Sequence, residues 1–109
     1  MQGLTDVKQT VAITGTAQLQ KYVDGSLVDI TRARIKGIQA QASGAGASVK
    51  IYDTSGAATA AKIVFEAQWG TADNSDFTYY VSEAGIKCDT GMYAVLSNCD
   101  FLTVTGTFT

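Results

Sequence analysis

Short runs of alternating apolar and polar residues recur along the whole chain, each bounded by Gly, Asp, Asn or Ser. No useful length carries apolar residues at helical spacing, so the pattern predicts β-strands. The first run covers residues 8–20, with Val11 and Ile13 alternating with Thr10, Ala12 and Thr14. Tyr22-Val23 and Leu27-Val28 then flank Asp24-Gly25-Ser26, and Asp-Gly takes the positive φ angles of a tight hairpin readily. In residues 32–42, Ala33 and Ile35 share one parity while Ile38, Ala40 and Ala42 have the other. A one-residue bulge at Gly37 returns both sets to one face.

Residues 48–52 form the next predicted strand, with Val49 and Ile51 on one side, followed by Asp53-Thr54-Ser55-Gly56 as a turn. Residues 57–61 have room only for a single helical turn. Over residues 62–69, Ile63, Phe65, Ala67 and Trp69 line one face, the signature of a half-buried antiparallel strand. A polar loop over 70–76 leads to an aromatic strand over 77–81. Residues 86–88 and 92–96 read as a hairpin closed by Asp89-Thr90-Gly91. The closing strand, 100–108, turns Leu102, Val104 and Phe108 inward and Thr103, Thr105 and Thr107 outward. The expected inward set is Val11, Ile13, Ile35, Val49, Ile51, Ile63, Phe65, Trp69, Ile86, Leu102 and Val104. About eight strands at this spacing predict an all-β antiparallel sandwich, jelly-roll or immunoglobulin-like, as a single domain over 1–109.

Composition narrows the function classes. Apolar residues make up 46% and charged residues 17%, which excludes a disordered chain. No apolar stretch approaches 18 residues, so no membrane span or membrane partner is expected. The segment Met1-Gln2-Gly3-Leu4-Thr5-Asp6 lacks a basic region before an apolar run, so no signal peptide is expected. A net charge of −2 argues against a nucleic-acid partner, which calls for clustered positive charge. The chain has no histidine, the commonest general base and metal ligand, and no motif marks a catalytic residue. No enzyme activity, cofactor or metal is therefore expected. The loop Asp73-Asn74-Ser75-Asp76 offers hard oxygens but lacks the glycine and distal glutamate of a calcium loop, and is read as solvated. Cys88 and Cys99 are expected to stay reduced and unlinked.

Two groups stand out as candidate interface. Arg32, Arg34 and Lys36 alternate along one strand, fit for an acidic partner or for protecting a sheet edge. Phe77, Tyr79 and Tyr80, near Trp69, crowd both faces of one strand. One core cannot absorb both faces, so a protein interface or a sugar-stacking platform is expected there.

The run Gly85-Ile86-Lys87-Cys88-Asp89-Thr90-Gly91-Met92-Tyr93-Ala94-Val95-Leu96, with the later strand Leu102-Thr103-Val104-Thr105, resembles the C-terminal part of small tailed-phage virion proteins. In those proteins a Gly-Ile-x-x-x-x-Gly-Leu/Met-Tyr hairpin leads into a valine- and threonine-rich last strand. The resemblance covers about a quarter of the chain, and the pattern does not account for Cys88 and Cys99. It implies a non-enzymatic virion component, a capsid decoration or cement protein, or else one associated with a tail or fibre. The implied partners are the major capsid protein or another virion protein, in a homo-oligomer or symmetric assembly.

Overall fold

The computed structural model describes residues 8–69, 76–81 and 84–108. Eleven strands are present among the described residues: β1 (Lys8–Gln9), β2 (Ala17–Gln18), β3 (Gln20–Val23), β4 (Ser26–Asp29), β5 (Ala33–Ala42), β6 (Ala47–Tyr52), β7 (Ile63–Trp69), β8 (Asp76–Tyr80), β9 (Ile86–Cys88), β10 (Tyr93–Ser97) and β11 (Cys99–Phe108). A 3₁₀ turn at Ala60–Lys62 precedes β7. The protein is all-β. One sheet runs β1-β11-β5-β8, with β9 also on β5, and a second runs β2-β10-β6-β7, every pair antiparallel. The β3–β4 hairpin forms a separate two-stranded sheet.

The core between the sheets contains Ile35, Ile38, Val49, Ile51, Leu102 and Val104, as alternation predicts, together with Leu19, Ile30 and Met92. In β5 the predicted bulge is present: Thr105 pairs with Gly37 and Gly106 with Ile35, leaving Lys36 as the extra residue. Ile35 and Ile38 consequently face the same interior despite opposite parity. The parity rule fails in β7 for the same kind of reason. Ile51 pairs with Phe65 and Tyr52 with Ile63, so Val64 is the extra residue. Ile63 is thereby turned outward and is 39% exposed, while Val64 packs against the core with Phe65 and Trp69.

Two further expectations are corrected. Residues 8–20 are not one strand. The N–H of Thr10 reaches Val104 O and Ile13 bridges Leu102 in the first sheet, whereas Ala17 and Gln18 pair with β10 in the second. The chain changes sheets around Gly15, and Val11 is left half-buried outside the core cluster. Secondly, β9 and β10 are not a hairpin: β9 pairs with β5 and β10 with β6 and β2, so residues 89–92 cross between sheets. Thr103 does face outward, opposite the exposed Gln39, and is nonetheless buried. It lies in β11, between β5 and the N-terminal segment, where neighbours on both sides cover a short side chain.

Candidate interaction surfaces

The crossover at residues 89–91 is held from its backbone. Asp53, at the end of β6, accepts the N–H groups of Asp89, Thr90 and Gly91 on one carboxylate oxygen, at 3.0, 2.7 and 3.3 Å. Partial burial pushes the Asp53 pKa up, but these three donors and the charge of Lys62 outweigh it, and the pKa is lowered overall. Gln18 ties the same region together: its Nε2 donates to Met92 O and Thr54 O, and its Oε1 accepts from the N–H of Gly56. A Cβ on Gly91 would stand 2.5 Å from Thr54 O, so the crossover needs glycine there.

Both thiols are free. Cys88 pairs with Ala33 and Cys99 with Ala42, at opposite ends of β5. Nine residue steps along the strand separate those positions by roughly 30 Å, far beyond disulfide reach. Burial, with Asp53 and Asp89 nearby, pushes the Cys88 thiol up to about 12. Burial also raises the pKa of Cys99, against hydrogen bonds to the backbone oxygens of Ser97 and Ser48. These environments disfavour the thiolate needed for nucleophilic chemistry.

The basic row lies on a central strand, not on a sheet edge, because β5 is flanked by β11 on one side and by β8 and β9 on the other. Arg32 is exposed just ahead of β5, Arg34 is exposed on its outer face, and Lys36 is half-buried at the bulge. Arg34 Nη1 donates to Ala84 O at 3.1 Å. Lys87, which the sequence pattern did not single out, pairs across from Arg34 and enlarges the positive patch. Its ion pair with Asp89, at 3.5 Å, is solvent-exposed and contributes little stability.

The aromatic strand divides between two faces. Phe77 and Tyr79 lie across from the buried Ala40 and Ile38, so they point inward, where they meet rings from the other sheet. Phe77 stacks on Trp69 at 4.8 Å, and Tyr79 tilts against Phe65 at 5.5 Å. These four rings close the gap between the edge strands β7 and β8. Tyr79 is still half exposed at the rim. Tyr80 has the opposite orientation, on the outer face of the sheet with Arg34, and is 74% exposed opposite Gly37. Of the acidic loop, Asp73, Asn74 and Ser75 lie outside the described residues, while Asp76 accepts from Gln41 Nε2 at 3.1 Å.

The surface missed by the sequence reading is the β3–β4 hairpin. Asp24 and Gly25 both have positive φ, 51° and 84°, as a two-residue turn of this hand requires. At the hairpin's base, Leu19 and Ile30 are buried and joined by Ile30 N–H to Leu19 O. Beyond that base Tyr22, Val23, Leu27 and Val28 are all exposed. Val11, Lys21, Tyr22 and Val23 line a shallow groove between hairpin and N-terminal segment. A signal was present in the sequence. Tyr22-Val23 and Leu27-Val28 are consecutive apolar pairs, which must put one member on each face of the ribbon. Comparisons with protein-family models, with curated proteins and with solved structures find no match to this chain.

Proposed function

We propose that this chain is a non-enzymatic structural protein of a virus particle, a capsid decoration or cement protein that stabilises a phage head through contacts with the major capsid protein. The observation carrying the reading is apolar surface left in solvent at two places, the β3–β4 hairpin and the Tyr79–Tyr80 rim. Contiguous exposed apolar surface marks contact sites between proteins. The resemblance of residues 85–96 and 102–105 to phage virion proteins supports a particle as the setting. The mechanism requires no chemistry. A small domain that binds only the assembled shell stabilises that state by mass action. Tyr80 and Arg34, on one outer face, are residue types enriched at binding hot spots.

The test is co-sedimentation. Phage particles from a lysate of the host expressing this chain are banded by density and the chain is quantified by mass spectrometry. Constant copy number per major capsid protein, retained on rebanding, is the expected result. A chain that stays at the top of the gradient at every concentration overturns the reading. The half-exposed Tyr79, beside Phe77, favours a second reading as a carbohydrate-binding module. In that case added saccharide shifts the fluorescence of Trp69 in the purified protein with saturation.

A further inference from the structure

Among the described residues the hairpin has an open edge of definite polarity. β4 pairs with β3 alone among the described residues, in the register Val23 to Ser26, Tyr22 to Leu27, Lys21 to Val28 and Gln20 to Asp29. The hydrogen bond from Ile30 N–H to Leu19 O sets the phase of this ladder. In an antiparallel pair, residues alternate between bonding inward and outward. The N–H and C=O of Ser26 and Val28 therefore serve β3, and those of Leu27 and Asp29 point to the open side. Natural edges are normally blunted by lysine, proline or a bulge. Ser26-Leu27-Val28-Asp29 has none of these, and its one charge, Asp29, already accepts from Gln20 Nε2 at 2.9 Å. A two-stranded ribbon in water is marginal on its own, and this one exposes apolar side chains on both faces.

We propose that the β4 edge is a self-association surface, to which a second copy of this chain adds its own β4 antiparallel, about a two-fold axis at Leu27. Symmetry and chemistry together select this register. A two-fold axis normal to the ribbon pairs residues of equal parity, so only Leu27 or Val28 can lie centrally on the axis. Centring on Val28 would set Leu27 against the Asp29 carboxylate of the other copy. Centring on Leu27 aligns Tyr22, Leu27, and the second copy's Leu27 and Tyr22 in one apolar row across four strands. Val28 then faces the small Ser26, and Asp29 faces Gly25. The outward N–H and C=O of the two Leu27 residues satisfy each other. The edge is short, well under the roughly 1,200 Å² of a standard interface, so the dimer is weak and its population depends on concentration.

Sedimentation equilibrium on the purified chain, without any particle, tests this from about 10 μM to about 1 mM. The weight-average mass should rise from the 11.4 kDa of the monomer toward twice that value. Leu27→Lys should weaken association by about tenfold or more, through lost burial and like charges at the axis, with the β circular-dichroism spectrum unchanged. Register is read by oxidative crosslinking in a Cys99→Ser background: Leu27→Cys should link copies faster than Ser26→Cys, whose two sulfurs lie apart in the ladder. A parent that stays at 11.4 kDa throughout, a Leu27→Lys variant that associates like the parent, or Ser26→Cys linking as fast as Leu27→Cys overturns the proposal. Each readout is independent of shell attachment, so failure here and failure of the capsid reading are distinct results.

Discussion

Asp53 accepts three consecutive N–H groups, those of Asp89, Thr90 and Gly91, where the chain passes between the sheets. Asp53→Ala should destabilise the fold by about 1–3 kcal/mol, the usual cost of losing hydrogen bonds to a charged acceptor, as read by urea denaturation. The folded-state pKa lies below the ordinary 3.8. The contribution is therefore fully present above the unfolded-state value and is lost as pH falls through the folded one. Below pH 4 the parent should lose thermal stability more steeply than Asp53→Asn; parallel curves would show that the carboxylate charge is irrelevant. The cysteines give a second residue-scale prediction. With the Cys88 pKa at about 12 and its side chain buried, native labelling at pH 8 should reach Cys99 first, and both only after denaturation. Equal rates on the native protein, or an unlabelled denatured protein, would contradict the described environment.

At the scale of elements, β8 separates structural from surface aromatics by parity alone. Phe77 packs on Trp69 and against the core, whereas Tyr80 stands in solvent. Phe77→Ala should cost about 2–4 kcal/mol, counting the lost burial and ring stacking, and should shift Trp69 emission to the red. Tyr80→Ser should change stability by less than about 0.5 kcal/mol. Comparable losses from the two variants would mean that the strand is inverted. The sequence predicted an aromatic strand with more rings than one face could bury. It did not reveal which rings would be inside, because that depends on the pairing of β8 with β5, where Ile38 and Ala40 face the core. The bulge in β5 was legible because Gly37 sits where the apolar parity changes. The bulge in β7 was not, since Ile63, Val64 and Phe65 are contiguous apolar residues and no parity break shows.

At the scale of the whole molecule, the outer face of the larger sheet carries Arg34, Lys87 and Tyr80 together, while the hairpin projects apolar side chains elsewhere. The molecule is elongated, 44 × 28 × 26 Å, so two separated contact surfaces are feasible on one small domain. If the sheet face binds the shell, the double variant Arg34→Ser, Tyr80→Ser should reduce co-sedimentation with particles at least about tenfold while keeping the β spectrum. Undiminished binding would remove that face from the interface. Salt should weaken the parent's attachment as well, because the exposed Arg34 and Lys87 act through a screened field.

By itself the sequence determined the class of structure. Period-two alternation in residues 32–42, 48–52 and 100–108, with glycine and aspartate between runs, permits strands with one buried face and little else. It also determined the Asp24-Gly25 turn, whose backbone conformation is a local property. Tertiary structure decided what local pattern cannot encode: which strands are partners. Residues 86–88 and 92–96 look like a hairpin from turn chemistry, yet they pair with β5 and β6 in different sheets, and Asp53, more than thirty positions earlier, takes the N–H groups of the segment between them. Likewise Leu19, Ile30 and Met92 enter the core only because the chain changes sheets and the hairpin is rooted there. Exposure of Tyr22, Val23, Leu27 and Val28 follows from the same long-range fact: no strand or loop among the described residues packs over the ribbon's tip, and burial is a property of neighbours rather than of the residue.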